Sequence, residues 1–391
     1  MINKISFKNY KSFKEQQELE LKAITVVIGK NSSGKSAVVK LPTLIEGSLS
    51  GDFIDPISIV NDGIELGAEF RDLVYGRNIG SLEISIEENN NSLSVELTSG
   101  SKDSDLPKIR RWNFNNELEY FYKDIDNSYF NTKEESLDDI EFNGFNILSE
   151  RGKSISHLFS LTTNYIGPFR EIPKRNYTNT RSSKSSKLGI IGEYTYQILI
   201  SDFLYKGSKL LKKVSKWYED NFDGWGIQIN SKSKPDYKIE LVRTNPDFSI
   251  NLKDVGEGMS QVLPLVVSAF MENDLETLTI LEQPELHLHP AAHGNLAELF
   301  ALSGVTTNNK FLIETHSQNF VLRLRRMIAE KRLERDDLAI YSVEYDRVNN
   351  TSSLKKIDVD ELGNVSYWPK NVFSETLDET MAIRNAQLKN I

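Results

Sequence analysis

The 391 residues include no cysteine. This excludes a disulfide framework, a thiolate metal site and a thiol nucleophile. Histidine is scarce too, with five in all, yet His287, His289, His293 and His316 fall close together. A zinc site would draw on such groups, but packing or hydrogen bonding across subunits is the expected role. No apolar run is long enough to span a bilayer: the longest, 262–271, contains Pro264 and Ser268. The opening Met1-Ile2-Asn3-Lys4 leads into an alternating strand rather than an apolar signal core, so no membrane association and a cytoplasmic location are expected. Basic excess is lacking, with 47 Lys and Arg against 56 Asp and Glu and a formal net charge of −9. Any contact with nucleic acid must therefore be a local patch. Sustained heptads are missing, which excludes a long coiled-coil arm.

What the chain does have is Gly29-Lys30-Asn31-Ser32-Ser33-Gly34-Lys35-Ser36. It matches the phosphate-loop pattern G-x-x-x-x-G-K-[ST] at every fixed position. A β-branched run at 23–28 precedes it and a helix-compatible stretch follows, from Ser36 to about Ile45 and interrupted by Pro42. Strand, glycine-rich loop and helix N-terminus together cradle a polyphosphate with backbone N–H groups and a helix dipole. Gly29, Asn31, Ser32, Ser33, Gly34 and Ala37 shape that cradle. Lys35 reaches the β- and γ-phosphates, and Ser36 places its hydroxyl on Mg²⁺. The expected ligands are ATP and Mg²⁺.

Three further segments follow. The apolar strand 278–281 ends in Glu282-Gln283-Pro284-Glu285, a Walker B arrangement in which Glu282 holds Mg²⁺ opposite Ser36. Gln283 occupies the position of a general base. It can orient water but cannot take its proton, and Glu285 is a possible substitute. Gly256-Glu257-Gly258-Met259-Ser260-Gln261 begins a helix with close-approach glycines. Gly256, Gly258 and Ser260 are expected to meet the γ-phosphate of a nucleotide held by a second subunit. The strand 310–314 ends in Thr315-His316-Ser317, which places His316 near the γ-phosphate as a switch.

In this order the motifs resemble the ABC-type ATPase heads of the OLD, RecF and SMC-like families. Residues 2–13, with Phe7-Lys8-Asn9-Tyr10-Lys11-Ser12-Phe13, are similar to the first strand and turn of that group. The stretches 66–74, 165–173, 282–290 and 363–369 are similar to small OLD/RecF-like bacterial ATPases, and the resemblance covers nearly the whole chain. It implies an α/β ATPase head with a mixed central sheet, closing as a homo-oligomer, dimer or higher. It also implies control of a separate effector, a nuclease or toxin, in antiphage systems of the Septu, PARIS or retron type, released when a phage trigger protein is met. Two departures stand out. No glutamine occurs between Gln17 and Gln197, so the usual Q-loop residue is missing, with Asp72 read as its replacement. With Gln283 at the base position, slow or partner-dependent hydrolysis is expected. A RecF-like DNA clamp and a non-hydrolysing ATP-bound scaffold are the alternatives.

The expected layout has an ATPase core at 1–75 and 236–335, an inserted antiparallel and helical lobe at 76–235, and a small β-hairpin extension at 336–391. Alternating 81–86 and 92–97 form a hairpin around 87–91. Residues 101–105 form a polar loop, 178–187 a low-complexity stretch, and 189–222 a helical region with five lysines between 206 and 216. Arg323, Arg325, Arg326, Lys331, Arg332 and Arg335 form a second basic cluster. Arg170 and Arg175 flank Pro173 in a loop that either senses nucleotide or joins subunits. The 75 residues after His316 are too few for a TOPRIM nuclease domain beside the elements read there. Asp358-Val359-Asp360 is read as a solvated strand end.

Overall fold

The computed structural model describes residues 1–78, 80–99, 106–123, 128–131, 136–137, 141–148, 158–178, 187–244, 247–370, 372–373 and 375–389. The polar loop at 101–105 and most of the low-complexity stretch at 178–187 lie outside the described residues.

A six-stranded sheet organises the fold, in the spatial order Thr163–Ile166, Thr277–Glu282, Asn309–Glu314, Ile24–Gly29, Leu338–Asp346 and Thr351–Ile357. The first five strands run parallel and the last is antiparallel. Parallel strands must be covered on both faces, and here the pleat divides them cleanly. Ile24, Val26, Ile28, Phe311 and Ile313 join one core with the helices Thr195–Tyr205, Lys209–Asn221, Leu263–Phe270, Pro290–Thr306 and Gln318–Ala329. Val27, Leu278, Ile280 and Leu312 face a second core with the helix Lys35–Ser50 and an eight-stranded antiparallel sheet.

That second sheet runs from Ser136–Leu137 through Ser81–Glu88 to Lys4–Lys8 and Gln17–Glu20. The hairpin expected at 81–97 forms, with a tighter turn. Glu88 pairs with Asn91, leaving Asn89 and Asn90 as the loop, and Asn89 adopts a left-handed φ of 54°. Asparagine tolerates that region better than other non-glycine residues.

Strand pairing redraws the layout read from the sequence. Thr163–Ile166, within the stretch assigned to the insertion, is the edge strand of the central sheet. Leu338–Asp346, assigned to an extension, pairs through residues 338–343 with the strand before the phosphate loop. Conversely, Lys4–Lys8 pairs with Ser81–Glu88 in the antiparallel sheet. Residues 163–166 are buried throughout, so four residues carried no alternation from which a neighbour could be read. The helix after the phosphate loop continues through Pro42 to Ser50, because Leu41, Leu44 and Ile45 are fully buried and packing outweighs the local penalty. The longest helix among the described residues has 17 residues, and none there is long and apolar enough to cross a membrane.

Candidate nucleotide site

The strand Ile24–Gly29 delivers the chain to the loop at the sheet's carboxyl edge, and the helix Lys35–Ser50 carries it away. Two glycines are required here. Gly29 has φ +149°, and a Cβ there would stand 2.5 Å from the Val343 carbonyl oxygen. Gly34 has φ +107°, and its Cβ would meet Ser12 Oγ at 2.7 Å and the Phe13 ring at 3.1 Å. The loop is buttressed from outside, since Ser352 Oγ donates to the Ser33 carbonyl at 2.7 Å and lies 2.8 Å from Ser12 Oγ.

A cleft of about 360 Å³ opens over the loop, lined by Ser12, Asn31, Ser32, Gly34, Lys35, Ser36, Ala37, Gln283, Glu314 and His316. Lys35 is buried, donates to the Lys30 carbonyl at 2.8 Å and stands 3.7 Å from Glu314 Oε1. Burial lowers its pKa and Glu314 opposes that shift. Ser36 Oγ donates to Glu314 Oε2 at 2.7 Å.

The carboxylate that meets Ser36 directly is thus Glu314, beside the Glu282 expected to hold Mg²⁺ opposite that hydroxyl. Glu282 and Glu314 are register partners on adjacent strands, but the hydroxyl of Ser36 meets Glu314. Glu282 instead lies 3.5 Å from Lys40 Nζ. Its pKa is raised by burial, with Lys40 opposing and Glu314 adding to the shift. Glu314 is the functional candidate that sequence reasoning missed. Its signal in the sequence is a strand that ends in an acid, as the Walker B strand does, two residues before His316.

Gln283 sits at a left-handed φ of 47° and donates its N–H to the Glu314 carbonyl at 2.8 Å. This locks the two strand ends together. Glu285 accepts from the His316 N–H at 2.6 Å, and burial raises its pKa. His316 Nε2 is 4.0 Å from Glu314 Oε1, and burial together with Lys35 lowers the imidazole pKa. The other histidines have local partners. His287 Nδ1 faces Glu257 Oε2 at 3.2 Å, His289 accepts from the Ala291 N–H, and His293 Nδ1 lies 2.8 Å from Ser317 Oγ. Among the described residues no group of three or more His, Asp or Glu side chains forms a metal cluster.

Gly256, Gly258 and Ser260 do not line this cleft. Gly256 caps a five-residue helix, Glu257–Gln261, and a Cβ on Gly258 would press to 2.7 Å from the His287 carbonyl. Ser260 is buried and donates to the Glu257 carbonyl of its own helix at 3.2 Å. Asp72 is not a cleft residue either. It accepts from the Ala68 N–H at 2.9 Å and from Arg77. The two loop arginines have separate tasks. Arg170 is buried and donates to the carbonyls of Glu282 and Gln283, while Arg175 makes a two-pronged pair with Asp254 at 3.0 and 2.7 Å. One loop thus grips both the Walker B turn and the segment leading into Gly256.

Residues 1–321 match a family model described as an AAA ATPase domain. The chain belongs to the AAA ATPase domain family. No curated protein matches it. Among solved structures it is similar to an SMC head bound to the C-terminal winged-helix domain of ScpA, with a TM-score of 0.51 and 14% identity over 91% of this chain and 98% of that one. The SMC head domain from Thermotoga maritima gives a TM-score of 0.44 and 12% identity over 92% of this chain and 99% of that one. The architecture of this AAA ATPase is therefore an α/β, SMC-head-like fold with mixed sheets, and its family is one of ATP-binding domains.

The site fits a magnesium nucleotide. Ser36 and Glu314 supply a hydroxyl and a carboxylate at the helix N-terminus, a donor set suited to Mg²⁺ completed by phosphates and water. When bound, Mg²⁺ would neutralise charge on the transferring phosphate. Lys35 would hold phosphate oxygens, and Gln283 and His316 would orient water.

Proposed function

We propose that this AAA ATPase binds and slowly hydrolyses ATP, and that nucleotide-dependent self-association controls a separate effector protein in antiphage defence. The observation that carries the catalytic half is the convergence of Lys35, Ser36, Gln283, Glu314 and His316 on one cleft. Slow turnover follows from Gln283, which can hold water but not accept its proton. Gly256, exposed at a helix start outside the chain's own cleft, suits a contact with a neighbour's nucleotide, whereas Ser260 is buried and bonded within its own helix. Elsewhere the segment 169–172 exposes Phe169 at 80% and Ile172 at 73%, and the Glu171 N–H donates to the Ile191 carbonyl of a second loop that exposes Ile191 and Tyr194. Apolar side chains this exposed, held beside a gripping loop, suit a partner surface.

Direct DNA clamping has weaker support, because part of each basic cluster is paired with acidic side chains. Lys213 pairs with Glu272, Lys216 with Asp220, Arg323 with Glu298 and Arg326 with Glu330. A scaffold in which ATP is bound and not hydrolysed is favoured by Gln283 alone.

The test is native mass spectrometry of the chain with and without ATP-Mg²⁺, alone and with the product of the gene beside its own. A co-complex holding several copies of this chain supports the proposal. A monomer that dimerises only with ATP and duplex DNA supports the clamp.

A further inference from the structure

We infer that Glu314 is a metal-coupling residue, whose carboxylate makes tight nucleotide binding depend on Mg²⁺. This rests on the cleft being the ATP site. Glu314 is 3% exposed and its two oxygens are committed in different directions. Oε2 accepts from Ser36 Oγ at 2.7 Å, and Oε1 stands 3.7 Å from Lys35 Nζ and 4.0 Å from His316 Nε2. Its backbone is fixed as well. The carbonyl accepts from Gln283, and the strand pairs with Ile24–Gly29 on one side and Thr277–Glu282 on the other. The carboxylate therefore cannot withdraw by moving the main chain.

This places one negative charge on the two groups that a polyphosphate must use. A nucleotide without metal brings its phosphates towards Lys35 and Ser36 and meets Glu314 there. The two anions compete for one ammonium and repel each other in a partly buried site, where charges a few ångströms apart interact far more strongly than in water. With Mg²⁺ the sign reverses. A divalent cation beside Ser36 is attracted by Glu314 as well as by phosphate, so the same carboxylate that excludes free ATP favours the metal complex. Glu282 is less suited to this task, because its carboxylate stands 3.5 Å from Lys40 Nζ, whereas it is Glu314 that accepts from Ser36 Oγ. Asp72 is committed to Arg77 and the Ala68 N–H.

The experiment is calorimetric titration of ATP into the full chain with Mg²⁺ and, separately, with EDTA, for wild type, Glu314→Gln and Glu282→Gln. In wild type, Mg²⁺ should tighten binding strongly. In Glu314→Gln, binding in EDTA should tighten by about tenfold and binding in Mg²⁺ should weaken, collapsing the ratio. Glu282→Gln should keep most of the ratio. A Glu314→Gln protein that binds as wild type in both buffers, or weakens equally in both, overturns the inference. So does a ratio that collapses in Glu282→Gln instead. If Glu314→Gln lacks a cooperative melt, Glu314→Asp takes its place. That variant keeps the charge but draws it back from Ser36, so MgATP binding must fall while binding in EDTA stays weak. Wild-type MgATP affinity in Glu314→Asp would overturn the inference. A wild type that binds no ATP in either buffer overturns the nucleotide site as well, which separates the two failures.

Discussion

Arg170 Nη2 donates to the carbonyl oxygens of both Glu282 and Gln283, at 3.2 and 3.0 Å, from a buried position. Its Nε and Nη1 have no hydrogen-bond partner among the described residues, and burial lowers the guanidinium pKa to about 10. A costly buried cation thus holds the left-handed turn that places Gln283 over the cleft. Arg170→Ala should destabilise the fold by about 2–4 kcal/mol, through two unpaired carbonyls and a cavity. Arg175 is a half-exposed partner of Asp254, so Arg175→Ala should cost no more than about 1 kcal/mol. Urea melts of the two variants check the contrast, and equal losses would contradict it.

Glu285 gives the pH prediction. Burial raises its folded-state pKa above 4.5, and the hydrogen bond from the His316 N–H opposes that shift. Between the unfolded value and the raised folded value the native state binds the extra proton. The contribution is therefore favourable below about pH 4.5 and is lost as pH rises through the folded value. Glu285→Gln keeps an acceptor for the His316 N–H and removes the titration. Thermal melts should find this variant more stable than wild type at pH 8, with the gap closing towards pH 4. A gap that widens in acid would contradict the assignment.

Gln283→Glu supplies the missing proton acceptor at the turn. Phosphate release should rise by on the order of 10² or more, the usual contribution of a positioned base. The new charge joins Glu282, Glu285 and Glu314, so the melt should shift down as well. Unchanged turnover would mean that Gln283 does not face the attacking water.

Phe169 and Ile172 test the partner surface. Both are exposed, so replacing them together by serine should leave the melting temperature of the isolated chain nearly unchanged. The mass shift produced by ATP or by the effector should vanish. A full mass shift in the double variant would free this surface of the role.

The octet at 29–36 was legible because its chemistry demands fixed residue types at fixed spacing. Gln283 and His316 were legible at the cleft because strands at this edge end in polar residues. The pairing of Ser36 with Glu314 was not. It joins residues 278 positions apart, and it depends on Asn309–Glu314 lying between Ile24–Gly29 and Thr277–Glu282. Strands buried on both faces read as apolar runs and carry little record of their neighbours. The same limit hid Thr163–Ile166 and Leu338–Asp346 in the central sheet. In the sequence Arg170 is equally a nucleotide sensor or a subunit contact, and only the fold shows it buried against the carbonyls of Glu282 and Gln283.

The most direct test of the nucleotide site is calorimetric titration of ATP-Mg²⁺ into wild type and Lys35→Ala. Wild type should bind saturably, and Lys35→Ala should lose on the order of 100-fold in affinity as the charge-assisted phosphate contacts disappear. Equal affinity in the two proteins would contradict the account at its root.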